Sequence, residues 1–261
     1  MPAALVTGAS RRAGIAAAAA RALAHDGWDV ATTCWRPYDE SEPWGSRPEE
    51  AEELVAELRA LGVRAAVYED DLADPAAPAR ILDAAEAAVG PLTALVNVHA
   101  HSETGGLVEA AAEQIDRHLA VNVRGTLLLS AEFVRRFRGE AGRGRIVSFA
   151  SGLPLNGEIA YAASKGAIAW ITVSAAVELG PRGITVNAID PGPSDTGWLS
   201  AELAEAVVRA TPLGRLGRPE DAAELVAFLC SEHGGWITGQ LLRSDGGFAW
   251  VRTPRRGREP L

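Results

Sequence analysis

Short apolar runs alternate along the chain with longer stretches in which apolar residues recur at helical spacing. Residues 3–7 (AALVT) form the first run, ended by Gly8, and an alanine-rich helical stretch follows from about Gly14 to Asp26. WDVATT after Gly27 is rich in β-branched residues and predicts a second buried strand. The alternation continues with RAAVYE, TALVNV, RIVSFA and ITVNAI as strands and with helices near 49–60, 75–88, 111–137, 161–179, 200–209 and 219–230. A last short strand is expected around 240–243. Strands separated by helices of ten or more residues make a mostly parallel sheet covered on both faces, so the expected class is α/β, doubly wound, in a single domain over 1–250. Residues 251–261 are rich in Arg, Gly and Pro and read as a frayed tail.

One connection breaks the rhythm. From Trp35 to Pro48 the sequence carries three prolines, a glycine and many charges, which predicts a loop that is long for a crossover. Excess of this kind is more often functional than decorative. Trp35, Tyr38 and Trp44 within it have two readings, a cover over a nucleotide's adenosine end or a contact with another subunit.

Composition narrows the class. The 261 residues are 48% hydrophobic and 23% charged, enough to bury a sizeable core. With 34 acidic against 25 basic residues the net charge is −9, which opposes nonspecific attraction to nucleic acid. Cys34 and Cys230 stand alone, in neither a disulfide framework nor a metal-ligand spacing. A reducing compartment follows. No run of eighteen apolar residues and no basic leader occurs, so the expected protein is cytoplasmic, without membrane attachment. His101, His118 and His233 read as spread apart, and no metal is expected.

The turn VTGASRRAGIA sits between the first strand and its helix. Gly8 permits the tight turn, and Gly14 lets the backbone approach a diphosphate at a helix N-terminus, where free N–H groups point outward. Ser10, Arg11 and Arg12 add a hydroxyl and cations. Where an acidic residue at the end of the second strand would bind a ribose diol, this chain has Cys34, with Arg36 two residues on. That combination favours NADP(H), with NAD(H) still accommodated; the alternative is that all three arginines are surface residues. Tyr161 and Lys165 lie one helical turn apart on one face, after a buried strand ending in Ser151. An ammonium beside a phenol favours the phenolate, and a phenol so tuned can exchange a proton with a carbonyl or alcohol oxygen.

These segments together resemble the classical short-chain dehydrogenase/reductase family, with 3-oxoacyl-reductase-like members nearest in pattern, over nearly the whole chain. TGASRRAGIA is similar to its cofactor turn, DDL at 70–72 to its adenine segment, LVNVHA to its strand-four motif, and NVRG at 122–125 to the catalytic asparagine segment. SFAS at 148–151, YAASK, DPGPSDT and ITGQLLRSDGG complete the series. The resemblance implies a Rossmann-type sheet. It makes Tyr161 the general acid/base, Lys165 a binder of the nicotinamide ribose, Ser151 a polariser of the substrate oxygen, and Asn122 the holder of a water in a proton relay. It places Gly8, Ser10, Arg11, Arg12, Gly14, Ile15, Asp71, Leu72, Asn97, Pro191, Gly192 and Thr196 along the cofactor, and it implies a homotetramer or homodimer. The implied reaction moves a hydride between the nicotinamide and a small carbonyl compound or alcohol. The alternative is a non-catalytic NAD(P)-binding regulatory protein of the same fold.

The chain departs from the family pattern in three places. The glycine turn is one residue longer, with Ala16 at the usual third glycine. Strand four reads NVHA for NNAG, and the inserted imidazole of His99 has three readings: spacer, substrate contact or proton carrier. Trp198 walls the substrate pocket or anchors a helix, and Leu153 joins His99 and Trp198 as a pocket candidate. Only ten positions separate Ser151 from Tyr161, about three fewer than usual. Counting back the usual thirteen from Tyr161 reaches Ser148 instead. Ser151 is preferred, because a serine at the C-terminal end of a parallel strand opens into the ligand crevice and Ser148 lies deeper. The PLNGE loop absorbs a contraction more readily than a buried strand, whose faces an odd shift would exchange.

Overall fold

The computed structural model describes residues 1–140, 142–151 and 157–248. Among these residues seven strands form one parallel sheet: β1 (Ala3–Thr7), β2 (Asp29–Cys34), β3 (Ala65–Glu69), β4 (Ala94–Asn97), β5 (Gly144–Phe149), β6 (Ile184–Asp190) and β7 (Leu241–Arg243), in the order β3-β2-β1-β4-β5-β6-β7. Every residue of β1, β2, β4, β5 and β6 is buried, as befits strands covered on both faces.

Two apolar layers cover the sheet. On one face α1 (Ile15–His25) lies against α9 (Pro219–Cys230), with Leu54 and Leu58 of α3 (Glu50–Ala60) beside them. Ala16 to Ala20 of α1 are all buried, with Leu23 beyond them, so this helix seats on the sheet mainly through methyl groups. On the other face α4 (Ala77–Val89), α6 (Thr126–Arg136) and α7 (Ile159–Leu179) supply Ile81, Leu82, Leu129, Phe133 and Leu179. A further helix, α8 (Ala201–Ala210), is capped by Ser200, whose hydroxyl accepts the Leu203 N–H.

Two elements differ from the expected pattern. The stretch 35–48 is not all loop: Arg36–Ser41 forms a short helix, α2, with Pro37 in its first turn, where a missing N–H costs nothing. The single helix expected over 111–137 is α5 (Ala112–His118), then a π-helical turn, Leu119–Gly125, then α6. Such bulges insert a residue without breaking the helix. Here the bulge carries Asn122.

Strand order reverses direction at β1, whose neighbours are β2 and β4. A crevice opens at this switch point, beyond the C-terminal ends of the strands.

Candidate functional site

Gly8, the first residue past β1, has φ 84°, and a Cβ there would stand 2.8 Å from the His99 Cα. Only glycine lets the two strand ends come this close. The chain then turns into α1, whose N-cap is Gly14 and receives no side-chain cap. The uncapped N–H groups therefore face the crevice as donors for an anion. A cavity of about 250 Å³ lies there, lined by Gly8, Ser10, Arg11, Gly14 and Ile15 on one side and by Asp71, Leu72, His99, Tyr161, Thr196 and Trp198 on others. Arg11 crosses to the far wall, where its guanidinium donates to the Thr196 carbonyl at 3.0 Å.

The two other arginines of the sequence reading are not brought to the cavity. Arg12 pairs at the surface with Glu53 and Glu57, and its N–H donates to Glu50. Arg36 is clamped by Glu69, which accepts its backbone N–H at 3.1 Å and its Nε at 2.9 Å. Glu69 ends β3 directly across from Cys34, so the sheet register brings this carboxylate to the arginine. The Cys34 thiol lines the cavity, and burial pushes it up to about 12, so it stays neutral.

Tyr161 and Lys165 stand one turn apart on α7, as the spacing predicts. The ammonium does not reach the phenol. It donates to the Phe149 carbonyl at 3.0 Å, and Nζ lies 5.8 Å from the centre of the tyrosine ring. Burial raises the Tyr161 phenol above its ordinary range, and the carboxylates of Glu158 and Asp190 add to the rise. Burial lowers Lys165 to about 8. Desolvation thus outweighs the mutual tuning expected from spacing alone.

Asn122 is buried, and both hydrogens of its amide are used, one on the His101 carbonyl and one on Ser164 Oγ, each at 2.9 Å. Its Oδ1 accepts the His101 N–H at 2.7 Å. Ser164 in turn donates to the Tyr161 carbonyl at 2.7 Å, so the π turn, the loop after β4 and the start of α7 are tied through one amide. Asn97 ends β4 opposite Ser148, and its Nδ2 donates to that hydroxyl at 3.2 Å. The Asn97 Oδ1 is buried with no hydrogen-bond partner among the described residues. Ser148 is buried inside β5, whereas Ser151 lies two residues past the strand's end and is half-buried. Leu153 and residues 152–156 of the contracted loop lie outside the described residues.

His99 is held at both nitrogens. Nδ1 is 2.7 Å from Thr7 Oγ1, and Nε2 is 3.2 Å from Thr126 Oγ1. Thr126 also donates to the Asn122 carbonyl, and Thr7 to the Val96 carbonyl. Burial, with the Lys165 charge second, lowers this imidazole to about 3. It is neutral near neutral pH and stands between Thr7 of β1 and Thr126 of α6. Asp190 is buried and accepts the Gly192 N–H at 3.2 Å. Gly192, at φ 58°, passes so close to Asp245 that a Cβ would sit 2.5 Å from that residue's Cβ.

Sequence reading missed a ring cluster beside Tyr161. His101 and His118, taken as separate, have ring centroids 4.8 Å apart; His118 faces Tyr161 at 6.4 Å, and Tyr38 edges His101 at 5.4 Å. His118 Nε2 accepts the Glu103 N–H and Nδ1 meets the Gln114 carbonyl, which fixes the loop after β4 against α5. Nothing in the spacing of these residues announces the contact. Ser164, inside the YAASK segment three residues after Tyr161, was available to a helical-face reading.

Comparison with known proteins follows the same outline. The sequence model of a family described as enoyl-(acyl carrier protein) reductase matches residues 8–249. Uncharacterized oxidoreductase YjdA of Bacillus subtilis (strain 168) is 41% identical over 249 residues, covering 94% of this chain and 96% of that protein. A short-chain dehydrogenase from Burkholderia cenocepacia J2315, solved in complex with NADP, superposes with a TM-score of 0.84 at 39% identity, over 95% of this chain and 98% of the other. A blue fluorescent protein from a metagenomic library, solved with NADPH, gives 0.84 at 36% identity, again over 95% and 98%.

Proposed function

Because the chain belongs to the short-chain dehydrogenase/reductase family, we propose that it is an NAD(P)(H)-dependent oxidoreductase acting on a small carbonyl compound or the matching secondary alcohol. The observation that carries this reading is a shared cavity: the uncapped N-terminus of α1 and the Tyr161 side chain open onto one crevice at the sheet's switch point.

The residues present fit a dinucleotide. The Gly8–Ile15 turn and the α1 N–H groups would hold its diphosphate, Asp71 and Leu72 its adenine, and Asn97, Lys165, Pro191, Gly192 and Thr196 its nicotinamide half. The bound nicotinamide supplies or accepts the hydride. Tyr161 holds a proton at the substrate oxygen, giving it up on reduction and taking it back on oxidation. Ser151 donates a hydrogen bond to the same oxygen, and Lys165 keeps a positive charge near the phenol once its ammonium is resolvated or paired. Asn122 fixes the loop that closes the far side, and His99 and Trp198 shape the wall.

NADP(H) is the preferred cofactor in this reading. Cys34 offers no carboxylate to a ribose diol, Arg36 stands two residues beyond it, and two similar structures hold NADPH or NADP. Arg36 must then exchange Glu69 for a phosphate. A homodimer or homotetramer is supported by α7, where Trp170 and Val177 are 77% and 78% exposed with Val173 between them. Both cysteines are free and buried, in keeping with a cytoplasmic setting. Among the described residues no helix is long and apolar enough to cross a membrane.

Absorbance assays of NADPH and NADH oxidation with a panel of ketones and aldehydes, run on the parent protein and on Tyr161→Phe, test the reading. Turnover should fall by roughly 10²-fold or more in the variant, with cofactor affinity nearly unchanged. A parent protein that binds cofactor but turns over nothing would favour the regulatory alternative.

A further inference from the structure

The stretch that follows β2 does not stay at the adenosine end of the crevice. Trp35, Tyr38, Asp39 and Trp44 all line the cavity. The Trp35 N–H donates to Ser10 Oγ of the glycine turn at 3.2 Å, which starts the chain inward. Tyr38 then reaches the opposite wall, where its hydroxyl donates to the Ser102 carbonyl at 3.2 Å and its ring edges His101, two rings away from Tyr161. Trp44 meets Trp198 of the nicotinamide-side loop, with centroids 5.3 Å apart. Both ends of the crevice are thereby bridged by one segment.

Between these two aromatic anchors sits a carboxylate. Asp39 is only 5% exposed, accepts the Trp44 indole N–H at 2.9 Å, and lies 3.6 Å from Arg11 Nε. Arg11 also packs on the Trp44 ring, 4.5 Å from its centroid. Arg11 is the cation of the glycine turn, so the nearest anion to it is the protein's own side chain. The space left is about 250 Å³, below the roughly 300–1,000 Å³ of pockets that bury drug-sized ligands, and a dinucleotide is larger than those.

We propose that residues 35–44 form a strap that closes the crevice in the free protein, with the Asp39 carboxylate standing in for a cofactor phosphate at Arg11, so that strap and dinucleotide compete for one place. This rests on the reading of the crevice as a dinucleotide site. Binding then requires that Trp44 leave Trp198 and that Asp39 leave Arg11. The apparent affinity is reduced by the fraction of molecules in which the strap is closed. Regular structure ends on the near side of Trp44, where α2 stops at Ser41 with Glu42 as its cap, and Gly45 follows at φ 66°.

Dissociation constants for NADPH and NADH, measured by titration of the whole protein, test the competition in Asp39→Asn and Tyr38→Phe. Asp39→Asn keeps an acceptor for the Trp44 indole and removes the charge facing Arg11. Tyr38→Phe keeps the ring and removes the bond to Ser102. Each should tighten both cofactors, by about 5-fold or more, the lower end of ordinary coupling between states. Hydrogen exchange at residues 36–44 should speed up when NADPH is added to the parent protein. Weaker binding in Asp39→Asn would make Asp39 a cofactor ligand and overturn the strap, as would unchanged affinity in both variants or slower exchange on adding NADPH. Binding by the parent without tightening in the variants defeats the strap alone; no binding by parent or variants defeats the functional reading and the strap together.

Discussion

The Asn122 amide and the His101 backbone hold each other at both ends, N–H to Oδ1 at 2.7 Å and Nδ2 to carbonyl at 2.9 Å. Every hydrogen of that amide is already committed within the protein. Asn122 therefore acts first as the fastener between the π turn and the loop after β4. With its donors spent, any part it takes in a proton relay has to use an acceptor lone pair, on Oδ1 or on the main-chain carbonyl that Thr126 already approaches at 2.8 Å.

Asn122→Ala should strand the His101 backbone groups and the Ser164 hydroxyl, costing about 1–3 kcal/mol of stability. For a chain of this size that corresponds to a loss of several degrees in Tm, on the order of 2–4 °C per kcal/mol. Calorimetry beside steady-state kinetics separates the roles. Lost turnover with an unchanged Tm would mean that the fastening is unimportant and that a relay carries the effect.

Ser151→Ala should lose most of kcat while remaining folded. Ser148→Ala should instead lower stability by about 1 kcal/mol, because Asn97 Nδ2 would lose its acceptor inside the sheet. The reversed pattern in kinetics and melting curves would move the substrate-facing serine into β5.

Arg36→Gln should weaken NADP(H) about tenfold more than NAD(H), the scale of one charge-assisted contact to a phosphate. Paired titrations decide it. Equal losses for both cofactors would leave Arg36 as the partner of Glu69 and nothing more.

The buried imidazole of His99 gives a pH dependence whose sign can be worked out. Its value is lowered from 6.5 to about 3, so the unfolded chain binds a proton that the folded protein refuses. The stability this represents is fully present above the unfolded value near 6.5 and is lost as pH falls toward 3, with a slope of up to about 1.4 kcal/mol per pH unit. Urea unfolding between pH 8 and 4 should show a shallower acid loss in His99→Gln than in the parent. Identical slopes would show that other groups govern the acid side.

The sheet and its helices were readable because their signals are local. Five wholly buried strands read as apolar runs, and α1 reads as a block of small residues after a glycine turn. The convergence of Tyr161 with the turn was implied only by the family resemblance, because strand order is not a local signal. What stayed hidden depends on partners far apart in sequence. Glu69 meets Arg36 only because β2 and β3 share a register that sets it opposite Cys34. His101, in the loop after β4, meets His118 at the end of α5, just before the π turn, and no periodicity distinguishes that bulge from plain helix. The short helix in 36–41 was concealed by Pro37, which a first turn tolerates.

The alanine seat of α1 has a consequence for how sequence change will register in this protein. Ala19 and Ala20 lie more than a turn below the glycine turn, do not line the cavity, and are wholly buried against the sheet and α9. A larger side chain at either would lift the helix off its bed, and with it the N–H groups that the helix aims past β1. In a screen scored by cofactor binding, such core positions would count as binding-site positions, and a map of sensitivity drawn over the surface of the crevice would miss them.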